Sequence, residues 1–320
     1  MMRVHVLALE GMFDTGLSGM LDTLAMANEL AQQSGVPGGF DVELVGLRRR
    51  VRTQQRFMLP ITHVSEAADP DWVIVPALGE KTPAALTEAL QRRDVKDAQK
   101  QLTLWHEGGA KLAAVCTGTY VMAAAGLLDG QRATTSWWLG PDFRCRFPEV
   151  SLDESQMVVA QSQCATAGAA LAHIDLALWL VRQYSPTLAQ ITSRYLLFDG
   201  RPSQSSYVMR DHLAHTDPVM ERFEAWARAN LAEFTMPEAA RHAGVSERTL
   251  ERRVRKALGR TPISYVRDLR VEQAIYLLET TDEGVEEIAL AVGYQDGVTL
   301  RTLLREKAGL GIKAIRNRGR

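Results

Sequence analysis

Three cysteines and seven histidines are the side chains of this 320-residue chain best suited to nucleophilic or metal chemistry. Their spacing excludes the commonest metal sites, since no Cys-x-x-Cys or His-x-x-x-His occurs. No Gly-x-Gly-x-x-Gly and no P-loop sequence occurs either, so neither a metal nor a nucleotide cofactor is expected. One cysteine stands in a setting that could do chemistry. Lys111–Val115 reads as a short buried strand, and Cys116-Thr117-Gly118 leads directly into a Gly/Ala-rich helix. A sharp strand-to-helix turn exposes a nucleophile, and a helix N-terminus favours a thiolate. The alternative for Cys116 is a small buried side chain, which is also the reading for Cys145 and Cys164. A catalytic thiol needs a base, and the histidines offer no local motif. His5 falls in a strand, His63 in a loop, His106 at a helix end and His173 in an apolar helix, all places for structural histidines.

A second kind of chemistry is concentrated in the last third. Residues 246–260 carry six basic side chains against two acidic ones, net +4, and residues 298–320 carry seven against one, net +6. The connector 261–297 has two basic against eight acidic, net −6. The overall charge of −1 therefore averages over segments of opposite sign. Both basic segments coincide with a repeated unit. Ala240-Arg-His-Ala-Gly244-Val-Ser246-Glu-Arg-Thr-Leu250 is echoed by Ala289-Leu-Ala-Val-Gly293-Tyr-Gln-Asp296-Gly-Val-Thr-Leu300. Each has a short helix with a close-packing alanine, a glycine turn and a second helix, the parts of a helix-turn-helix. Thr235-x-x-Glu238 is a capping box for the first helix, and Ser246 is an N-cap for the second. Leu250, Val254, Leu300 and Leu304 fall on the core side. Basic charge on both second helices is where a phosphate backbone would lie, so double-stranded DNA is the expected partner.

The elements that carry these groups differ along the chain. Before residue 199, apolar runs alternate with amphipathic stretches. Strands are expected at Val4–Leu9, Phe40–Leu44, Trp72–Val75, Lys111–Val115 and Gln156–Ala160, with helices between them, one starting at Thr82-Pro83 and one spanning Gly168–Arg182. That alternation implies a parallel sheet covered on both faces. Beyond Asp217-Pro218 every periodic segment reads as helix. The expected division is a domain over 1–200, a linker over 201–218 and an all-α domain over 219–320. A hydrophobic fraction of 46% excludes a disordered chain, and three cysteines make no disulfide framework. No stretch reads as a membrane span or a signal peptide, and a cytoplasmic location is expected.

The tandem unit, with Gly259-Arg-Thr-Pro-Ile-Ser-Tyr265 and Ile288-Ala-Leu-Ala-Val-Gly-Tyr-Gln-Asp296, resembles the AraC-type DNA-binding domain over residues 220–318. The resemblance implies two recognition helices in adjacent major-groove segments. By position, the base-reading residues are Arg248, Thr249, Glu251 and Arg252 in the first unit. Val298, Thr299, Arg301 and Thr302 take that role in the second, with Arg305 on the same helix. The sequence departs from the family at Thr302, where arginine is common, and at Ile312, where proline is expected.

Ala114-Val-Cys-Thr-Gly118, Ala125-Gly-Leu-Leu-Asp-Gly-Gln-Arg-Ala-Thr-Thr135 with Trp137, and Ala165-Thr-Ala-Gly168 with Asp175 resemble the PfpI-type, class I glutamine-amidotransferase-like domain. The full chain therefore resembles GlxA-like transcriptional regulators, which implies a flavodoxin-like α/β domain followed by two helix-turn-helix units. The family places a histidine base after the Thr-Thr pair, where this chain has Ser136. An acid from the first strand-helix turn would be Glu10 or, better, Asp14, although Gly16 could occupy the key position. An elbow without its base reads as a pocket for a small effector, with Asp14, Cys116, Thr117 and Ser136 as candidates. The expectation is a non-enzymatic sensor that dimerises through this domain and binds an amino acid or nitrogen-containing metabolite. A cysteine-dependent amidase or hydrolase and a thiol redox sensor remain the alternatives.

Overall fold

Short, largely apolar runs supply the central strands, because a strand covered by helices on both faces has little solvent side to signal. The computed structural model describes residues 1–198, 201, 204, 217–308 and 311–316, without the side chains at 307, 308 and 314. The chain divides into two compact units, Met1–Gln204 and Ser205–Arg320. Most of the expected linker 201–218 lies outside the described residues, as do Arg318 and Arg320 of the basic tail.

In the first unit, strands are β1 (Met2–Leu7), β2 (Phe40–Gly46), β3 (Arg50–Arg52), β4 (Met58–Pro60), β5 (Thr62–His63), β6 (Trp72–Val75), β7 (Lys111–Val115), β8 (Arg132–Ala133), β9 (Ser151–Leu152), β10 (Val158–Ala160) and β11 (Cys164–Ala167). Helices are α1 (Asp14–Gln33), α2 (Pro83–Gln91), α3 (Arg93–Glu107), α4 (Gly118–Ala124), α5 (Gly140–Arg146), α6 (Ala172–Tyr184) and α7 (Pro186–Tyr195). The main sheet runs β10-β11-β7-β6-β1-β2-β5 and is parallel except where β10 meets β11. Alternation along β7 shows how it is covered. Ala113 and Val115 join the core made with α1, α6 and α7, while Leu112 and Ala114 join the core made with α2, α3 and α4. The flavodoxin-like arrangement expected from the strand-helix alternation is thus present, with one antiparallel edge.

Several sequence expectations shift. The helix expected from Gly168 begins at Ala172, because Ala169 adopts a left-handed φ of 69° that a helix cannot continue through. His63 belongs to β5 rather than a loop. Cys145 is exposed, not buried, on the outer side of α5. Thr82 caps α2 by accepting from the Ala85 N–H at 3.3 Å, as its sequence implied.

The second unit contains α8 (Pro218–Ala229), α9 (Met236–Ala243), α10 (Glu247–Leu258), α11 (Pro262–Thr280), α12 (Val285–Ala291), α13 (Gly297–Ala308) and α14 (Ile312–Arg316). It has two cores that share one helix. The front of α11 (Tyr265, Val266, Leu269) packs with α8, α9 and α10, and its rear (Val271, Ala274, Leu278) packs with α12, α13 and α14. The capping box expected at Thr235 does not form. Pro237 removes one N–H the Thr235 hydroxyl could take, and Glu238 turns to Arg241.

Candidate functional site

The turn after β7 is a true elbow. Cys116 has φ 56°, a left-handed conformation that costs a non-glycine residue about 1 kcal/mol or more. Gly118 lets the turn close onto β6, since a Cβ there would lie 2.4 Å from the Val75 carbonyl oxygen and 2.6 Å from that of Pro76. Around the elbow the side chains are hydroxyls. The Cys116 Sγ lies 2.7 Å from Ser136 Oγ, and Thr135 Oγ1 donates to the Cys116 carbonyl at 2.7 Å. Thr117 Oγ1 donates to the Leu78 carbonyl at 2.8 Å. The structure therefore brings Cys116, Thr117 and Ser136 together. Asp14 makes no hydrogen bond to them among the described residues; its carboxylate accepts the Gln55 N–H at 2.9 Å.

The thiol expectation needs correcting. Cys116 is only 4% exposed, and burial pushes its pKa up, against hydrogen bonds from Ser136 and Thr117 that pull it down. The helix N-terminus does not win over desolvation, so the thiol, not the thiolate, is the resting form.

Gly16, the alternative to Asp14, faces His173. A Cβ on Gly16 would lie 2.4 Å from the imidazole ring. His173 Nε2 accepts the Ala77 N–H at 3.1 Å, and Nδ1 donates to the Ala170 carbonyl at 2.8 Å, which fixes the neutral tautomer. The ring is a structural bridge between α6 and the end of β6. Burial lowers its pKa from 6.5 to about 4. Above pH ~6.5 the contribution of this neutral bridge is fully present. Below that the unfolded chain binds a proton that the folded ring refuses, so stability falls between pH 6.5 and about 4 by roughly 3 kcal/mol. Urea unfolding at pH 7.5 and 4.5 should show a shallower acid loss in His173→Gln than in the parent; equal losses would exclude His173 as its source.

A residue that sequence reasoning assigned to the linker completes this region. Gln204 is fully buried, and its Nε2 lies 2.9 Å from Thr134 Oγ1, 2.9 Å from the Thr135 carbonyl and 3.2 Å from the Gln156 carbonyl. Nothing local to residue 204 signals it, because its partners are 48 to 70 residues away.

In the second unit, Gly244 takes the left-handed C-cap of α9 at φ 73°, and the Ser246 hydroxyl caps α10 by accepting the Thr249 N–H at 3.3 Å. Gly293 takes φ 90° at the matching turn. There the cap is Asp296, which accepts from the Thr299 N–H at 2.7 Å and the Thr299 hydroxyl at 3.2 Å. Those bonds, the backbone one first, hold the Asp296 carboxyl below its usual range. Leu250, Val254, Leu300 and Leu304 are wholly buried, as their spacing implied. Arg248 and Arg252 are exposed on α10, Thr249 is half-buried, and Glu251 pairs with Arg255 at 2.9 Å. Val298, Thr299, Arg301, Thr302 and Arg305 are exposed on α13. Arg301 lies 3.5 Å from Glu286, and the Thr302 hydroxyl donates to the Val298 carbonyl at 3.1 Å. Two arginines counted as part of the basic face are structural instead. Arg253 holds Asp217 at 2.7 Å, and Arg260 holds Asp268 at 2.6 Å. At Ile312, where proline was expected, α14 nevertheless begins.

Comparison with known proteins agrees with both halves. The DJ-1/PfpI family model matches residues 2–183, and a helix-turn-helix domain model matches residues 239–318. The HTH-type transcriptional regulator ArgR of Pseudomonas aeruginosa is 30% identical over 249 residues, covering 76% of this chain and 73% of that protein. The chain belongs to the DJ-1/PfpI family and carries an AraC-type helix-turn-helix domain. It is a DNA-binding transcriptional regulator of the AraC family. The regulator CdhR of the same organism is 33% identical over 194 residues, 58% of this chain and 57% of its own length. GlxA of Rhizobium meliloti is 28% identical over 194 residues, 58% of this chain and 59% of its own. In fold, the first unit resembles an AraC family regulator from Pseudomonas putida, with a TM-score of 0.51 at 22% identity over 61% of this chain and all of that one. No helix among the described residues is long and apolar enough to cross a membrane.

Proposed function

We propose that this AraC-family regulator senses a small effector with residues 1–200 and transmits the result through a linker over 201–218 to a DNA-reading part over 219–320. The observation that carries the reading is the Cys116–Ser136 pair. The elbow is retained, yet the group beside the sulfur is a hydroxyl that cannot take its proton near neutral pH, and both side chains are buried. Such a site binds better than it catalyses. Cys116, Thr117 and Ser136 form the floor of the effector pocket, and Asp14 is its fourth candidate residue. The effector is an amino acid or a nitrogen-containing metabolite, and the chain works in the cytoplasm as a homodimer joined through the first unit. On DNA, Arg248, Thr249, Glu251 and Arg252 read one major-groove segment. Val298, Thr299, Arg301, Thr302 and Arg305 read the next. Footprinting on the promoter beside its own gene, with and without a metabolite panel, tests this. Protection that one metabolite alters is expected, and an absence of protection at low salt would sink the reading.

One observation keeps a second reading in view: the left-handed Cys116 belongs to nucleophile elbows. Iodoacetamide at pH 8 separates the two. The exposed Cys145 should label first and Cys116 slowly. Cys116 labelling ahead of Cys145 would revive the thiol enzyme or redox sensor.

A further inference from the structure

The bowl around Gln204 is built for a different occupant. Three oxygens converge on one nitrogen, from Thr134 Oγ1, the Thr135 carbonyl and the Gln156 carbonyl. Thr134 spends its own hydroxyl proton on the Gln156 carbonyl at 3.2 Å, so toward the bowl it can only accept. A carboxamide nitrogen has two hydrogens for these three acceptors. Its oxygen fares worse, because Oε1 is buried and has no hydrogen-bond partner among the described residues. An orphaned buried acceptor bears the full penalty of its lost hydration. Gly168 makes the room, since a Cβ there would lie 1.9 Å from Nε2. The bowl also adjoins the elbow, because Thr135 both lines it and holds the Cys116 carbonyl.

We propose that this bowl binds the primary ammonium group of a small metabolite, and that Gln204 is a built-in stand-in which the ligand displaces. An ammonium has three donors and no acceptor, so it satisfies all three oxygens and removes the orphan. Inward-facing carbonyl dipoles take the place of its hydration shell. Displacement has a mechanical consequence. Gln204 is the last residue of the first unit, and Arg201 just before it is tied to Asp175 by its N–H at 3.1 Å and by its guanidinium. Losing the Gln204 anchor frees the chain where it passes into the DNA-reading unit. This deepens the sensor reading above and rests on it.

The test uses the full chain, with propylammonium as probe and tetramethylammonium, which has no N–H, and propionamide as controls at matched ionic strength. Gln204→Ala empties the bowl without competition, so propylammonium should raise the thermal midpoint of the first unit at a concentration about tenfold or more below that needed for the parent. Tetramethylammonium should have no effect, and Gly168→Ala, whose new methyl group takes the nitrogen's place, should answer none of the three. If Gln204→Ala does not fold alone, its refolding yield with propylammonium against tetramethylammonium gives the same comparison. No response of Gln204→Ala to propylammonium, or an equal response to either control, overturns the bowl. The sensor reading is judged separately, by the metabolite-dependent footprint of the parent chain. Losing the anchor should by itself alter DNA binding, so a Gln204→Ala footprint identical to that of the ligand-free parent overturns the displacement step.

Discussion

Phe223→Ala is expected to destabilise the second unit by about 3–5 kcal/mol, the usual cost of truncating a buried phenylalanine. Phe223 on α8 is wholly buried, with ring centroids 5.6 Å from Tyr265 on α11 and 6.5 Å from Phe234. The same core holds Leu250 and Val254 of α10, so this packing sets how the first recognition helix is presented. A domain of this size has a total stability of roughly 5–15 kcal/mol, so the loss removes about a fifth of it or more. Each kcal/mol shifts the midpoint of a domain of about 100 residues by roughly 4 °C or more, which predicts a fall of about 12 °C or more for the second-unit transition. Phe223→Leu, which keeps most of the volume, should cost about 1 kcal/mol. Calorimetry of the full chain reads both, and DNA affinity should follow the second-unit transition. A Phe223→Ala chain that keeps its midpoint would show that α8 does not hold α10 in place.

How much was legible in the sequence depends on whether the deciding contact was local. Trp72–Val75 and Lys111–Val115 have the bounds their apolar runs imply, because the residues after Lys111 and all of Trp72–Val75 are buried. The tandem units were legible for a similar reason. Glycine turns, Ser246 and the buried leucines all act within one helix-turn-helix. What failed was set at a distance. The helix start expected at Gly168 moves to Ala172 because Ala169 turns left-handed at φ 69°, and Gly168 itself packs against Gln204, 36 residues on. The thiolate expected at Cys116 was reversed by burial against Thr135 and Ser136, which a strand-turn-helix pattern does not report. Arg253 and Arg260 count toward the basic charge of residues 246–260, yet each is paired, with Asp217 and with Asp268. Charge in a sequence marks a helix as basic without saying which arginines are already engaged.

That distinction fixes the expected outcome of removing arginines from the first recognition helix. Arg248 and Arg252 stand one turn apart on the exposed face of α10, and neither is held by an acid among the described residues. Their five-donor forks are free to take a guanine edge in a bidentate contact. Arg252→Ala should therefore weaken binding to the footprinted site by about 1–3 kcal/mol and relax preference at one base pair, and Arg248→Ala should do the same at a neighbouring one. Arg253→Ala should instead lower stability through the loss of Asp217, with preference unchanged. The second helix offers less. Both threonine hydroxyl protons are spent, on Asp296 and on the Val298 carbonyl, and Arg301 faces Glu286. Arg301→Ala should thus cost less than Arg252→Ala, and Glu286→Gln, which frees Arg301, should tighten binding. Fluorescence anisotropy on the footprinted and a scrambled duplex, across a salt series, separates base reading from phosphate contact. If Arg252→Ala lowers affinity equally on both duplexes, Arg252 is a backbone contact. In that case α10 is turned so that a different face meets the bases.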